Sequence, residues 1–283
     1  MNVLVAESPS SDTLPADTRI ACRIEYDGKD FNGWQVQPHP GTVTVQGALE
    51  SALGEVADTT VRVHCAGRTD SGVHAHAQIV HFDMPASRSC RAWMLGGNST
   101  LPRSVRIHWA IAVNKTFHAR FSALSRSYRY VIENTAVHSA LLRHHVTWCS
   151  RPLDARLMHA AAQALLGERD FSAFRASSCQ AATPMRNVQS VSVERRGDLV
   201  VIDISANAFL HHMVRNIAGS LIAVGDGRRP LGWVDELMTG RDRTLAAETA
   251  PASGLYLADI QYPAQFGLPT TPYGPPIIAS KHN

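Results

Sequence analysis

The stretch CAGRTDSGVHAHAQIVHFD, Cys65–Asp83, sets one carboxylate between two glycines and then runs into alternating apolar residues. Gly67 and Gly72 bracket a turn in which backbone can come close to a ligand, and Ser71 adds little bulk. AQIVHFD, 77–83, reads as a strand from its β-branched and aromatic content. Asp70 then stands exposed at a strand end, where a rigid scaffold can present a functional group. An Arg nearby favours the charged form of an acid, which a nucleophilic or basic carboxylate requires. Taken alone, GRTDSG reads first as an ordinary Asx-type turn.

Working outward, RIACRIEYDG (19–28), TVRVHCAG (60–67), SVRIHWAIAV (104–113) and RSYRYVIE (126–133) also read as strands. VQGALESALGEVA (45–57) places Val45, Leu49, Leu53 and Val56 on one helical stripe. Further along, LDARLMHAAAQALLG (153–167) is an amphipathic helix stopped by Gly167. RNVQSVSVERRGDLVVIDIS (186–205) is a hairpin with Val191 and Val193 facing Val200, Ile202 and Ile204 across an RRGD turn. NAFLHHMVRNIAGSLIAVGDG (207–227) is a helix whose Leu210, Met213, Val214, Ile217, Leu221 and Val224 share a face, and LYLADIQY (255–262) closes the series as a strand. Strand runs joined by hairpins and helices, twice over, predict an α+β fold with mixed or antiparallel sheets. The reading divides the chain into a loose tail over 1–17, an N-terminal domain over 18–140 carrying the Asp70 loop, and a C-terminal domain over 141–283, with the seam near 135–150.

The chain has 283 residues, 45% of them hydrophobic, which is enough to bury a full core. No apolar run approaches the roughly 18 to 20 residues of a membrane span, and no secretory leader pattern opens the chain. A cytoplasmic protein with no membrane association is expected. The five cysteines, Cys22, Cys65, Cys90, Cys149 and Cys179, are scattered with no CxxC pair, which points to reduced thiols rather than a structural zinc site. The net charge of +3 is mild, yet 24 of the 27 basic residues are arginine. Arginine has the planar fork that suits phosphates and base edges, although a GC-rich genome produces the same bias.

His74, His76 and His81 raise a metal reading, since H-x-H beside an acid is a common ligand set. That reading needs further ligands, and no HExxH or CxxC supplies them. No phosphate-binding GxxxxGK[ST] and no GxGxxG occurs either, so no cofactor and no metal are expected.

Six stretches in order carry a resemblance: YDGKDFNGWQVQPHPGTVTVQGALESAL (26–53), the Cys65–Asp83 stretch, FHARFSALSRSYRYVI (117–132), FRASSCQAATPMRNV (174–188), NAFLHHMVRNIAGSL (207–221) and APASGLYLADIQYP (250–263). Together they resemble the TruA family of tRNA pseudouridine synthases, from about residue 19 to about residue 276. The resemblance implies a pseudouridine synthase fold of two similar domains around a central cleft. It also implies isomerisation of uridine to pseudouridine in the anticodon arm of tRNA, at the positions called 38, 39 and 40, by a homodimer without cofactor. A synthase of the same fold acting on other RNA uridines is the nearest alternative.

Carried over residue by residue, Asp70 matches the family's catalytic aspartate, attacking the ribose C1′ or removing a proton from C2′. Either route develops charge at the sugar, as glycoside chemistry does. Tyr128 matches the tyrosine stacked on the target base; strand alternation puts Tyr128 and Tyr130 on one face and Arg129 on the other. Arg215 matches the partner of the catalytic acid and, on a helical wheel, lies about 140° from Leu210, off the apolar stripe. Leu257 matches an apolar position beside the base, and a plain core strand accounts for it equally. Arg68 matches an arginine that enters the stem as the nucleotide leaves it, and a stacked uridine cannot be reached unless it flips out. The RNA surface is expected to include Arg88, Phe117, His118, Arg120, Phe121, Arg126, Arg175, Ser178, Cys179 and Gln180, with Arg143 and Arg186 as further candidates. Two other readings remain on the residues: a metal-dependent hydrolase on Asp70, His74 and His76, and an RNA-binding module without catalysis.

Overall fold

A computed structural model of the protein describes residues 12–39, 41–270 and 272–275. The chain divides into two units, residues 1–124 with 259–283, and residues 125–258. The first cut falls at Leu124/Ser125, ahead of the 135–150 seam read from sequence. Of the tail expected over 1–17, residues 1–11 lie outside the described residues, and Thr13–Leu14 (β1) pairs with Arg88–Ser89 (β5).

In the first unit the elements run β1, β2 (Arg19–Tyr26), α1 (Val45–Ala57), β3 (His64–Cys65), β4 (His74–Asp83), β5, α2 (Cys90–Thr100) and β6 (Val105–Val113). β2 lies between β6 and β4, antiparallel to both, and β3 adds to β4 through His64↔His81 and Cys65↔Val80. The strand expected over 77–83 starts three residues earlier, because Ala75 finds a partner in Tyr26. The strand expected over 60–67 shrinks to two residues for the opposite reason: only His64 and Cys65 pair with β4. α1 matches its expected span, with the Thr44 hydroxyl accepting from the Gly47 amide as N-cap. Helix α2 went unread in the sequence, since Gly96 and Gly97 sit where a helix loses stability. Their reason is packing: a Cβ on Gly96 would lie 2.8 Å from the Val56 side chain, and one on Gly97 would lie 2.7 Å from that of Ile107.

The second unit holds β7 (Ser125–Glu133), β8 (Thr147–Trp148), α3 (Ala155–Ala162), β9 (Gly167–Asp170), β10 (Met185–Arg196), β11 (Leu199–Ala206), α4 (Met213–Gly225) and α5 (Trp233–Gly240). β12 (Leu255–Gln261) runs across the second cut. The sheet order β7-β11-β10-β9 is antiparallel, with β8 parallel to β7 at its edge. The expected hairpin is present, in the register Val191↔Ile204, Val193↔Ile202 and Arg195↔Val200. α3 ends at Ala162 and a 3₁₀ turn follows, so Gly167, at φ +88°, opens a strand rather than capping a helix. α4 starts at Met213 rather than near residue 207, because His212 takes a left-handed conformation, φ 61°, that breaks the helix before it. Twelve of its thirteen residues are buried, all but Arg215. Each unit is thus α+β: the sheet is antiparallel in the first and mixed in the second, where β8 is parallel to β7, with helices packed on each.

Candidate active site

In the first unit the loop from Ala66 to Val73 carries Asp70 and is held by backbone from several directions. The Ala66 amide donates to Ile79 O at 2.8 Å, the Trp34 amide to Thr69 O at 3.0 Å, and the Gly72 amide to Phe31 O at 3.3 Å. Gln78, fully buried in β4, donates its amide to Gly67 O at 2.6 Å. The Tyr26 hydroxyl lies 2.7 Å from that of Thr69, which buries Thr69 between exposed Arg68 and half-buried Asp70. Two glycines make the approach possible. A Cβ on Gly28 would sit 1.9 Å from Val73 O, and Gly33, at φ +91°, would place one 2.9 Å from Thr69 O. The segment GKDFNGW, 28–34, is therefore the wall against which the loop is set, a role that its own sequence does not announce.

His74 and His76, which flank this loop in β4, are 2% and 7% exposed. His74 Nδ1 lies 3.1 Å from the Gly28 amide and 3.0 Å from Asp27 Oδ1. His76 Nε2 lies 3.0 Å from Pro272 O and 3.0 Å from the Arg23 guanidinium, and burial followed by the Arg23 charge holds its imidazole below the usual value. Both rings are used by the fold, so the hydrolase reading loses the imidazoles it was built on.

The FHARF segment divides. Phe117 is fully buried against the rings of Tyr262 and Phe266, each 5.1 Å away, which removes it from the RNA-facing set and makes it core. Phe121 is 76% exposed, with His118 at 4.4 Å and the Arg120 guanidinium 5.6 Å from its ring centre. Arg88 donates to Val56 O at 2.9 Å and holds the end of α1.

In the second unit Tyr128 lies in β7, buried, with its ring edge-on to Phe209 at 4.9 Å. Tyr130 belongs to the core: its hydroxyl donates to Pro251 O at 2.8 Å, and burial pushes its phenol up. Arg129 does point to the other face, but that face is buried as well, and Arg129 grips Asp203 through two contacts of 2.8 and 2.9 Å. Every residue of β7 is buried, as in a central strand covered on both sides. Arg215, half-buried on α4, donates from Nε to Ala250 O at 2.8 Å, and its backbone carbonyl accepts the Ala250 amide at 3.2 Å. Its separation from Leu210 on a helical wheel is void, since Leu210 precedes α4. Leu257 is fully buried in β12.

Arg175 and the loop after it close on the turn before α4. Arg175 donates to Cys179 O at 2.9 Å and Ala181 O at 2.8 Å; the Ala176 amide reaches His211 O at 3.1 Å. The Ser178 hydroxyl lies 3.0 Å from His211 Nδ1. Burial alone would raise the Cys179 thiol, but hydrogen bonds from the Ala181 and His211 amides, with the Arg175 charge, hold it below the usual value. Gln180 is exposed at the tip. Arg126 is 9% exposed and donates to Asn207 O at 2.9 Å; Arg143 and Arg186 donate to Ala140 O at 2.7 Å and Thr183 O at 2.9 Å. These arginines shape the loops as well as charging them. Phe209 and His211 were missed from sequence, although both lie in NAFLHHMVRN; a helix drawn through them hid the turn that brings them beside Tyr128 and Ser178.

A model of the family described as tRNA pseudouridine synthase matches residues 23–122 and 161–263, most of both units, and the chain belongs to that family. Among curated relatives, the protein named tRNA pseudouridine synthase A from Legionella pneumophila (strain Lens) is 54% identical over 263 residues, 93% of this chain and 100% of that one. The proteins of the same name from Alcanivorax borkumensis and Haemophilus ducreyi are 53% identical over 258 residues and 50% over 261. They cover 91% and 92% of this chain, and 96% and 99% of their own lengths.

Proposed function

We propose that this chain isomerises uridine to pseudouridine in the anticodon arm of tRNA, at positions 38, 39 and 40, with Asp70 as the reacting carboxylate. The observation that carries the reading is the setting of Asp70: one half-buried acid on a loop fixed by distant backbone, in a chain about half identical to proteins named tRNA pseudouridine synthase A. The N1–C1′ bond of the nucleotide breaks, the base turns, and C5 bonds to C1′. The C5 proton leaves and N1 gains one, so nothing is oxidised and no water is added. Asp70 serves by bonding to C1′ or by taking a proton from C2′, and both roles need the ionised form. A fixed loop matters because an acid misplaced by about 1 Å loses much of its rate.

A stacked uridine has to flip out of the stem, at a cost of a few kcal/mol. Exposed Arg68, two residues ahead of Asp70, is suited to entering the space it leaves. Tyr128 supplies a flat face for the extruded base, with Phe209 fixing the ring. Arg215 holds positive charge on α4, and Leu257 belongs to the apolar packing. The RNA surface takes in Arg120 and Phe121 of the first unit, and Arg126, Arg175, Ser178, Cys179 and Gln180 of the second. The working form is a homodimer in the cytoplasm; segment 135–148 has an apolar surface for it, with Val137 80% and Leu141 90% exposed. No helix among the described residues is long and apolar enough to cross a membrane.

The test is tritium release from C5-tritiated uridine in unmodified tRNA, with chelator-treated protein. Release from wild type that vanishes in Asp70→Asn supports the reading; no release from wild type ends it.

A further inference from the structure

At the Asp83 end of β4 the first unit opens a pocket of about 330 Å³, close to the lower end of small-ligand sites. It lies about 23 Å along the strand from His74, taking 3.3 Å per residue. Its lining includes Arg62, His64, His81 and His118, together with Arg19 and Asp83. The three imidazoles form one cluster, with ring centres 4.5 Å (His81 to His118), 5.0 Å (His64 to His81) and 5.6 Å (His64 to His118) apart.

Hydrogen bonds settle what this cluster offers. His81 Nδ1 accepts the Ala119 amide at 3.1 Å, and His118 Nδ1 accepts the amides of Arg120 at 3.1 Å and Phe121 at 3.3 Å. In each neutral ring the proton therefore sits on Nε2, which can only donate. Asp83 does not oppose an anion, because Arg19 holds it through contacts of 2.8 and 2.9 Å and Lys115 lies 3.3 Å away. Arg19 has its remaining nitrogen on Lys115 O and Phe117 O. Arg62, whose side chain is 69% exposed, meets Glu50 only at 3.5 Å and is able to turn to a ligand. On the rim, His118 leads directly to the exposed ring of Phe121, with Arg120 over it.

Donors, a cation and an exposed aromatic in sequence suit one unpaired nucleotide, with its phosphate among the donors and its base on the ring. We propose that this pocket seats one phosphodiester of the bound RNA on His64, His81, His118 and Arg62, while the adjoining base stacks on Phe121. The proposal rests on reading the chain as an RNA isomerase and adds a second point of grip in the first unit, away from the Asp70 loop.

The experiment is tRNA binding by fluorescence anisotropy across a salt series, for wild type, Arg62→Ala, His64→Ala and Phe121→Ala. All three residues are exposed, so the fold should survive, and thermal melts check that. Arg62→Ala should lower the slope of log K against log salt by about one. Phe121→Ala should weaken binding roughly tenfold, as loss of one stacked base does, with little change in slope. Unchanged affinity and slope in all three variants would overturn the proposal. So would inorganic phosphate or uridine monophosphate occupying the pocket, seen as shifts of the histidine ring signals, while the variants bind tRNA normally; that result would mark a free-phosphate site. Stoichiometric Zn²⁺ binding by chelator-treated wild type, lost in His64→Ala, would overturn it in favour of a metal. Failure of the isomerase reading looks different: wild type would bind tRNA and release no tritium.

Discussion

The two units present the side chains proposed for the site in opposite ways. In the first, Asp70 and Arg68 sit on irregular backbone that makes no ladder of its own and is held by Phe31, Trp34, Gln78 and Ile79. In the second, Tyr128 and Arg215 project from a central strand and a buried helix, whose positions are set by register and packing. A loop can aim a carboxylate closely only if other parts of the chain supply the hydrogen bonds that a strand or helix would have made for itself. A strand aims a ring without such help, but allows it little choice of neighbours. The first arrangement should thus be fragile at the wall behind the loop, and the second should tolerate changes that keep shape.

The sharpest way to break the contrast is Asp70→Asn, which keeps the loop and removes the charge. Tritium release should fall by more than about 10³-fold, as when a group acting at the reacting atom is lost, while tRNA affinity stays close to wild type. Turnover near wild type would mean that the loop is only a turn. Gly28→Ala comes next: its Cβ would meet Val73 O at 1.9 Å, so the loop or the wall must shift. A loss of about 1 to 3 kcal/mol in thermal stability should accompany a clear drop in release; an unchanged melt would show that the loop is not braced there. Tyr128→Ala should cut the rate markedly by leaving a hole beside Phe209, whereas Tyr128→Phe should act almost as wild type, because the ring and its edge contact remain. A severe loss in Tyr128→Phe would assign the work to the hydroxyl instead.

The smallest effect concerns the far end of β4. Burial, with His118, Arg19 and His64 nearby, pushes the His81 imidazole down to about 3 from 6.5. The folded protein keeps that ring neutral while the unfolded chain protonates it near 6.5, so stability present above pH 6.5 is lost as pH falls towards 3. Asp83, held at about 2 mainly by the Arg19 hydrogen bond, adds a loss that starts only below its ordinary 3.8. His81→Gln should therefore make the fall of the melting temperature between pH 6.5 and 4 shallower, leaving the share of His76 and His118, whose imidazoles burial also lowers, and the acid limb below. An unchanged profile would show that His81 titrates normally.

The family and the candidate acid were legible because they rest on local pattern. The glycine-bracketed GRTDSG, the alternation of AQIVHFD and the RRGD hairpin each need only a few neighbouring residues to declare themselves. Asp70 could be singled out before any fold was known, and the ordered motifs named its family. The errors share one cause, since each used local period where distant contacts governed. Alternation rightly put Arg129 on the face away from Tyr128, and fell short only in saying nothing of the second buried layer in which it meets Asp203. Helical period carried α4 back to residue 207, past a left-handed His212 that no period reveals. Two glycines hid α2, whose close contacts with Val56 and Ile107 are what require them.

The histidines of β4 draw the line between the two kinds of knowledge. Their spacing, at 74, 76 and 81, is plain in the chain and places 74 and 76 on one face by the two-residue period of a strand. What each ring does depends on partners brought from elsewhere: Gly28 for His74, Arg23 and Pro272 for His76, Ala119 for His81. The same residue type on one strand becomes a structural tie at one end and a pocket wall at the other. A hydrogen bond needs its partner within about 3 Å, and only the folded chain brings residues so far apart in sequence that close.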